Sequence, residues 1–260
     1  MILALARAMF GVDLALPDFP MLKSVRGLGF SDSDIYANRL SAVFTYTNTF
    51  YHREPFFDLT HPDENEFGKY DFVICSDVLE HVPQPLHTAF QTLACLLKPT
   101  GILILTMPYS LESSTIEHFS DLRQFAVVDI GGKAVLVNKL ESDGYEVHDN
   151  LIFHNGPGRT LEMRILSEQD IRAMLRTVGL AEVLIQTLGS TEFGIAQTGP
   201  CSLPILARKY PFALSSSRLN ELVGQWADQK RVITAIGKSR WLRLGRWLSL
   251  GPDLVRKERT

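Results

Sequence analysis

Two runs of apolar residues, "YDFVICSD" at 70–77 and "ILILTMPY" at 102–109, most tightly limit what this chain can fold into. Phe72, Val73, Ile74 and Cys75 follow one another without polar alternation, which suits a strand covered on both faces. Between the runs, "PLHTAFQTLACLLKPTG" sets Leu86, Phe90, Leu93, Leu96 and Leu97 at helical spacing, and Lys98, Pro99 and Gly101 supply a stop. Strand, helix, strand is the βαβ unit, and it predicts a parallel sheet with right-handed crossovers. In such sheets ligands bind beyond the carboxyl ends of the strands. The polar residues that follow the first run, Ser76, Asp77, Glu80 and His81, stand where a site is expected.

The flanking sequence extends the pattern. "KSVRGLGF" reads as a short strand running into a glycine-containing loop, and "SDIYANRLSAVF" as a helix with Ile35, Leu40 and Val43 on its inner face. "TYTNTFYH" is β-branched and aromatic, hence strand-like, and "EPFFDLT" is a shorter strand candidate. After Pro108 the rhythm changes. Residues 110–166 contain "FAVVDIGGKAVLVNKL" and "YEVHDNLIFHNGPG", which read as antiparallel strands with Gly-rich turns, an insertion over the active edge of the sheet. The α/β pattern resumes in "SEQDIRAMLRTVGL", where Ser167 is placed to cap a helix that Gly179 ends, and "AEVLIQTL" and "SLPILARKY" supply two more strands. The expected fold is therefore α/β: a Rossmann-like, open, mostly parallel sheet with helices on both faces, an antiparallel β insertion and a helical C-terminal tail. Residues 1–209 form the main domain, carrying the 110–166 lid, and 210–260 a basic helical extension.

Composition narrows the function classes. With 45% apolar and 21% charged residues the chain reads as an ordinary soluble globular protein, and a net charge of −3 gives no reason to expect nucleic acid. Cys75, Cys95 and Cys201 are odd in number and far apart, matching neither a disulfide framework nor a metal-ligand spacing, so a reducing cytoplasm is the expected compartment. The N-terminal "MILALARAMF" is interrupted by Arg7 and reads as a packed first helix, with a cleaved signal as the weaker alternative. The end, "KSRWLRLGRWLSLGPDLVRKERT", mixes Trp241, Leu244, Trp247 and Leu248 with Arg240, Arg243 and Arg246. Packing of the tryptophans on the domain is favoured over contact with an anionic membrane surface, since Gly245 and Pro252 weaken the helix.

The stretch Tyr70–Tyr109 resembles the fourth-to-fifth-strand segment of class I S-adenosylmethionine-dependent methyltransferases, of the type 11/23 kind. It carries their "LEHV" helix start, a helix ending Lys-Pro with Gly close behind, and a strand of the form GxLxxxxP, with Thr100 inserted before Gly101. The resemblance covers roughly residues 21–109 and 165–209. It implies S-adenosylmethionine as cofactor, with Gly27, Gly29 and Asp32 in the first glycine motif. It also implies Asn48 at the ribose diol, Asp58 and Leu59 at the adenine, and Ser76 and Asp77 at the methionine end. The glycine motif is divergent: Val25 stands for the usual acid and Ser31 for the third glycine, while Thr47 and Asn48 replace the acid after the second strand. Asp32 or Asp34 could instead cap the following helix, and capping is favoured for one of them.

Methyl transfer to an alcohol is an in-line displacement that needs a positioned base and no metal. His81, after the strand where cofactor and acceptor should meet, is the first candidate base, with a helix-start packing role weighed equally. His118, in the insertion close to Glu112 and Glu117, is the second, those carboxylates being read as binding a polyhydroxylated acceptor or simply solvated; His154 is weaker, and Glu80 is read as orienting a neighbour or capping the helix. The expectation is O-methylation of a small-molecule or glycan-like acceptor. Two alternatives stay open: a non-catalytic methyltransferase-like binding domain, and a nicotinamide-dependent oxidoreductase, which would want Gly-x-Gly-x-x-Gly and a later acid.

Overall fold

In the computed structural model, residues 1–119, 122, 124–156, 158–197, 199, 201–210 and 217–239 are described. The chain divides into two compact units, Met1–Pro211 and Phe212–Thr260. The first unit opens with helix α1 (Ile2–Phe10), which buries Leu3, Leu5, Met9 and Phe10 and ends at Gly11 in the left-handed conformation that glycine adopts without strain. Then come β1 (Leu22–Phe30), α2 (Asp34–Val43), β2 (Phe44–Thr49), β3 (Tyr70–Ser76), α3 (Leu86–Leu96) and β4 (Leu97–Thr106).

The insertion holds short β5 (Tyr109–Ser110) and β6 (Ile116–Glu117), then the meander β7 (Gln124–Ile130), β8 (Lys133–Lys139) and β9 (Tyr145–His148). It continues with β10 (Phe153–Gly156), β11 (Gly158–Leu161) and β12 (Arg164–Ser167). Helix α4 (Glu168–Thr177) follows, capped by the Ser167 side chain at 3.0 Å from Asp170 N, and β13 (Glu182–Ile185) and β14 (Ile205–Arg208) complete the unit. Among the described residues of the second unit, α5 (Ser217–Lys238) is the helix. The tryptophan–arginine stretch beyond it lies outside the described residues, and no described helix is long and apolar enough to cross a membrane.

The six-stranded sheet runs β13-β14-β4-β3-β1-β2, with β2, β1, β3 and β4 parallel and β14 antiparallel to both its neighbours. From β1 to β2 the chain steps one way across the sheet and from β3 to β4 the other. Right-handed crossovers therefore send α2 and α3 to opposite faces and place the carboxyl ends of β1 and β3 side by side. Alternation along the strands does the rest: Leu28, Phe30, Val73, Cys75, Leu103 and Leu105 join α3 and α4 in one core. On the other face Phe72 packs edge-to-face with Phe44 at 5.2 Å and stacks on Tyr46 at 5.8 Å.

Two expectations change. The "EPFFDLT" strand reduces to a single parallel bridge, Phe50 to Phe56. Ile35, expected inside, is 80% exposed, because α2 packs through Ala37 and Leu40. The Gly-Gly turn in the insertion does form a two-residue hairpin loop: Ile130 pairs with Lys133, and Gly131 and Gly132 both have positive φ, as a type I′ turn requires.

Candidate active site

At the carboxyl edge, the first glycine motif differs from the sequence reading. β1 continues to Phe30, so Gly27 and Gly29 lie within the strand and not in the loop after it. A Cβ on Gly27 would stand 2.2 Å from Phe72 Cζ, and one on Gly29 would stand 1.9 Å from the Tyr46 hydroxyl and 2.0 Å from Asp32 Oδ2. The glycines make room for the chain's own aromatic side chains. A ligand backbone approach is not what fills that space.

Asp32 and Asn48 are likewise turned inward. Asp32 is 4% exposed and accepts hydrogen bonds from Tyr36 Oη at 2.6 Å and from Tyr46 Oη. Asn48 spends its amide on the Asp32 backbone, accepting from N at 2.9 Å and donating to O at 2.8 Å, which leaves it unsuited to a ribose diol. Neither Asp32 nor Asp34 caps α2; Ser33 does. Burial pushes the Asp32 carboxyl up to about 6, against the opposing pull of the two tyrosine hydroxyls. A carboxyl raised in the folded state favours folding fully below its unfolded value near 4, and that contribution is lost as pH rises through about 6. We expect denaturant stability to fall across this window by about 3 kcal/mol at most from this group, and Asp32→Asn to flatten that part of the profile. Urea midpoints from pH 4.5 to 7.5 measure it, and parallel profiles for the two proteins would remove the assignment.

Asp58 follows β2 but does not stand free. Its Oδ1 accepts from Thr60 N and Oγ1, both at 2.7 Å, and its Oδ2 lies 3.2 Å from His61 Nδ1. Burial alone would raise its pKa; the hydrogen bonds from Thr60 and His61 outweigh it and hold the carboxyl below the usual range. Leu59 is a core residue, 5% exposed. Ser76 and Asp77 end β3 as expected. Asp77 takes a left-handed φ of 53° while its N–H bonds Thr106 O at 2.7 Å, so its exposed carboxylate projects at the strand end beside the Ser76 hydroxyl, 3.1 Å away.

The residues brought together most closely are Glu80, His81, His118, His154 and Glu162. Leu79–His81 is a separate 3-10 turn, not the first turn of α3, which begins at Leu86. The insertion is bound onto this turn. Met163 N donates to Glu80 O at 2.9 Å, and Arg164, 2% exposed, donates to Leu79 O at 3.2 Å and to Val82 O while its Nε pairs with Glu117 at 2.8 Å. Glu117, which with Glu112 had been weighed as an acceptor-binding carboxylate, is thus occupied by Arg164 and by Gln84 at 2.9 Å. His81 Nδ1 donates to Leu161 O at 2.8 Å, and burial, the largest cause, lowers its pKa. With Nδ1 turned to that carbonyl, Nε2 faces Glu80 Oε1 at 3.8 Å. Glu80 is fully buried; burial pushes its carboxyl up to about 8.

Glu162, from the insertion, accepts from His118 Nε2 at 2.8 Å on one oxygen and from His154 Nε2 at 2.6 Å on the other. His118 and Glu162 also line a cavity of about 340 Å³ together with Phe119, Val147, His148, Asp149, Asn150 and Ile152. Sequence reasoning named His81 and His118, which lie in this cluster, assigned Glu80 to orienting a neighbour or capping a helix, ranked His154 low and did not name Glu162 or Arg164. The signal for those two was available: "TLEMRIL" sets two opposite charges in an apolar run, a pattern that a buried strand tolerates only when both are paired.

A mostly parallel, open sheet with polar loops at the carboxyl ends of its central strands defines a Rossmann-like α/β ligand-binding domain. The family model described as "Methyltransferase domain" (Methyltransf_23) matches residues 20–184. The chain belongs to that family, one of the class I S-adenosylmethionine-dependent methyltransferase families, and the nicotinamide alternative is set aside with it. A curated relative, the ubiquinone biosynthesis O-methyltransferase of Vibrio parahaemolyticus serotype O3:K6 (strain RIMD 2210633), is 27% identical over 151 residues. The match spans 58% of this chain and 57% of that protein, little more than half its length.

Similar solved structures include 1,6-didemethyltoxoflavin-N1-methyltransferase of Burkholderia thailandensis, with bound 1,6-didemethyltoxoflavin and S-adenosylhomocysteine. It is 15% identical, covering 72% of this chain and 71% of that one, with a TM-score of 0.40. Another is an S-adenosylmethionine-dependent methyltransferase of Clostridium acetobutylicum ATCC 824, at 12%, 78%, 95% and 0.42 respectively.

The residues present fit S-adenosylmethionine in part. Ser76 and Asp77 offer a hydroxyl and an exposed carboxylate of the kind an ammonium group requires, and Ser31, with φ 56°, turns the chain at the end of β1. Gly27, Gly29 and Asn48 do not fit, since their space or their hydrogen bonds are taken up internally.

Proposed function

We propose that this chain methylates an oxygen atom of a small, hydroxylated acceptor, with S-adenosylmethionine as the donor. When bound, S-adenosylmethionine supplies an electrophilic methyl group. Everything else is work for the chain. Asp77 and Ser76 hold the donor's amino-acid end, and the loop at Ser31 closes on it from β1. The acceptor lies in the cavity walled by the insertion.

The observation that carries the oxygen preference is the His118–Glu162 pair on that cavity wall, 2.8 Å apart. An imidazole backed by a carboxylate is oriented to take a proton from a hydroxyl as its oxygen becomes nucleophilic. His81, its Nδ1 held by Leu161 and its Nε2 turned to Glu80, serves to shape the cluster and not as the base. The O-methyltransferase named among the relatives supports the same class of acceptor.

A second reading, a methyltransferase-like domain that binds no donor, draws support from the filled glycine positions. Calorimetric titration with S-adenosylhomocysteine, with NAD as control, separates the two. We expect one equivalent of S-adenosylhomocysteine to bind, weakened in Asp77→Ala. Transfer of labelled methyl from S-adenosylmethionine to a panel of phenols and sugars then identifies the acceptor. Folded protein that binds no S-adenosylhomocysteine would overturn the catalytic reading.

A further inference from the structure

We infer that Glu80, His81 and His154 form a binding site for one divalent transition-metal ion, of which Zn²⁺ is representative. Glu80 is the starting point. It is 0% exposed, and neither carboxylate oxygen has a hydrogen-bond partner among the described residues. A carboxylate withdrawn from water with no partner costs several kcal/mol, so buried carboxylates are paired, protonated or metal-bound.

Two imidazole nitrogens face this carboxylate. His81 Nε2 and His154 Nδ1 each lie 3.8 Å from Glu80 Oε1, too far for a hydrogen bond. One ligating atom from each of the three residues falls within 4.8 Å of the others. An ion held at about 2.0–2.1 Å from each donor in tetrahedral geometry separates its ligands by about 3.3–3.4 Å. Each 3.8 Å separation therefore closes by about half an ångström on binding, and the widest, up to 4.8 Å, by about 1.4 Å, a movement within reach of side-chain rotation.

The remaining nitrogen of each ring fixes the orientation. His81 Nδ1 donates to Leu161 O at 2.8 Å and His154 Nε2 donates to Glu162 Oε2 at 2.6 Å, and the rings meet edge-to-face at 4.8 Å. A carbonyl and a carboxylate can only accept, so both rings are held with the other nitrogen as the one left for a ligand. This is the outer-shell arrangement that orients metal-ligating histidines. Two nitrogens and one carboxylate suit Zn²⁺, Fe²⁺, Mn²⁺ or Co²⁺ and do not suit Mg²⁺ or Ca²⁺, which take oxygen ligands.

The sequence reading expects no metal, since methyl transfer needs none; an adjacent pair plus a residue far along the chain makes no recognisable ligand spacing. The inference rests on the geometry of the cluster and not on the methyl-transfer reading. The test is a titration of the full chain, stripped with a chelator, with no methyl donor or acceptor present. Zn²⁺ is followed by calorimetry and Co²⁺ by its visible absorption.

One equivalent is expected to bind, with Mg²⁺ unable to compete. Glu80→Gln, an isosteric change that replaces the ligating carboxyl with an amide and keeps the packing, and His154→Ala should each lose that equivalent. Glu162→Gln should weaken it about 10–100-fold, and His87→Ala, an exposed histidine on α3, should leave it unchanged. Absence of saturable one-equivalent binding in the parent chain, or the same affinity in Glu80→Gln, overturns the site. Because no donor is present, either result stands apart from the outcome with S-adenosylhomocysteine.

Discussion

Arg164→Met is expected to lower the unfolding free energy of the main unit by about 3–5 kcal/mol, read as a drop in denaturant midpoint without a change in slope. Methionine keeps most of the buried volume, so the loss does not come from a cavity. It comes from what the guanidinium leaves behind. Glu117 loses the Nε donor that its two oxygens share at 2.8 and 3.1 Å, Val82 O loses its guanidinium donor, and Leu79 O is left with the Val82 N–H alone at 3.3 Å.

Breaking a buried pair by removing one partner is costly for this reason, even where building the pair gains little over an apolar substitute. Arg164→Lys keeps a charge but not the planar fork that reaches Glu117 and two carbonyls at once, so it should recover only part of the stability. Glu117→Gln should cost less than Arg164→Met, because that side chain is 29% exposed and water can serve its partners. A loss below about 1 kcal/mol for Arg164→Met, the worth of an exposed pair, would mean the pairing is not a buried one.

The same residue shows why part of the site was hidden in the sequence. β3 and β4 could be read directly, since an unbroken apolar run has few other uses, and their pairing follows from the helix between them. Ser167 as a cap and Gly131–Gly132 as a hairpin turn were equally legible, because each satisfies a local backbone requirement. Gly27 and Gly29 were not. Their reason lies across the sheet, where Gly27 faces Phe72 and Gly29 faces Asn48 in register, with Tyr46 and Asp32 filling the space a side chain would need. Two glycines near the end of a strand look the same whether they clear a path for a ligand or for a neighbouring ring.

The insertion had the larger effect. A one-dimensional pattern placed Glu80 and His81 at a helix start, where capping is the ordinary role of an acid. The structure instead ends the strand with a short 3-10 turn and lays residues 161–164 over it. Capping is then impossible for Glu80. What joins it to His154 and Glu162 is the docking of β11 and β12 on that turn, through Met163 N, Leu161 O and Arg164, and contacts of such sequence separation leave no local periodicity. The buried charges of "TLEMRIL" were the one trace of it.

His118→Ala is expected to lower kcat by about 10²–10⁴, with little change in affinity for S-adenosylhomocysteine. His118 lines the cavity, its backbone N–H is fixed by Met163 O at 2.9 Å, and its Nε2 is bound by Glu162 at 2.8 Å, so the ring has one orientation. Its proton-taking nitrogen is then Nδ1, set by the carboxylate behind it. In the proposed reading the donor is held by the loops after β1 and β3, which the substitution does not touch, so the loss should fall on turnover.

Glu162→Gln provides the second half of the argument. An amide presents one acceptor oxygen where the carboxylate presents two, so it cannot orient His118 and His154 together, and an intermediate fall in kcat is expected. His118→Gln, which restores a polar group of similar reach but no base, should not rescue turnover. If His118→Ala methylates at the parent rate while folding and binding S-adenosylhomocysteine normally, the proton leaves by another route, and His148, the other imidazole lining the same cavity, is the next group to replace.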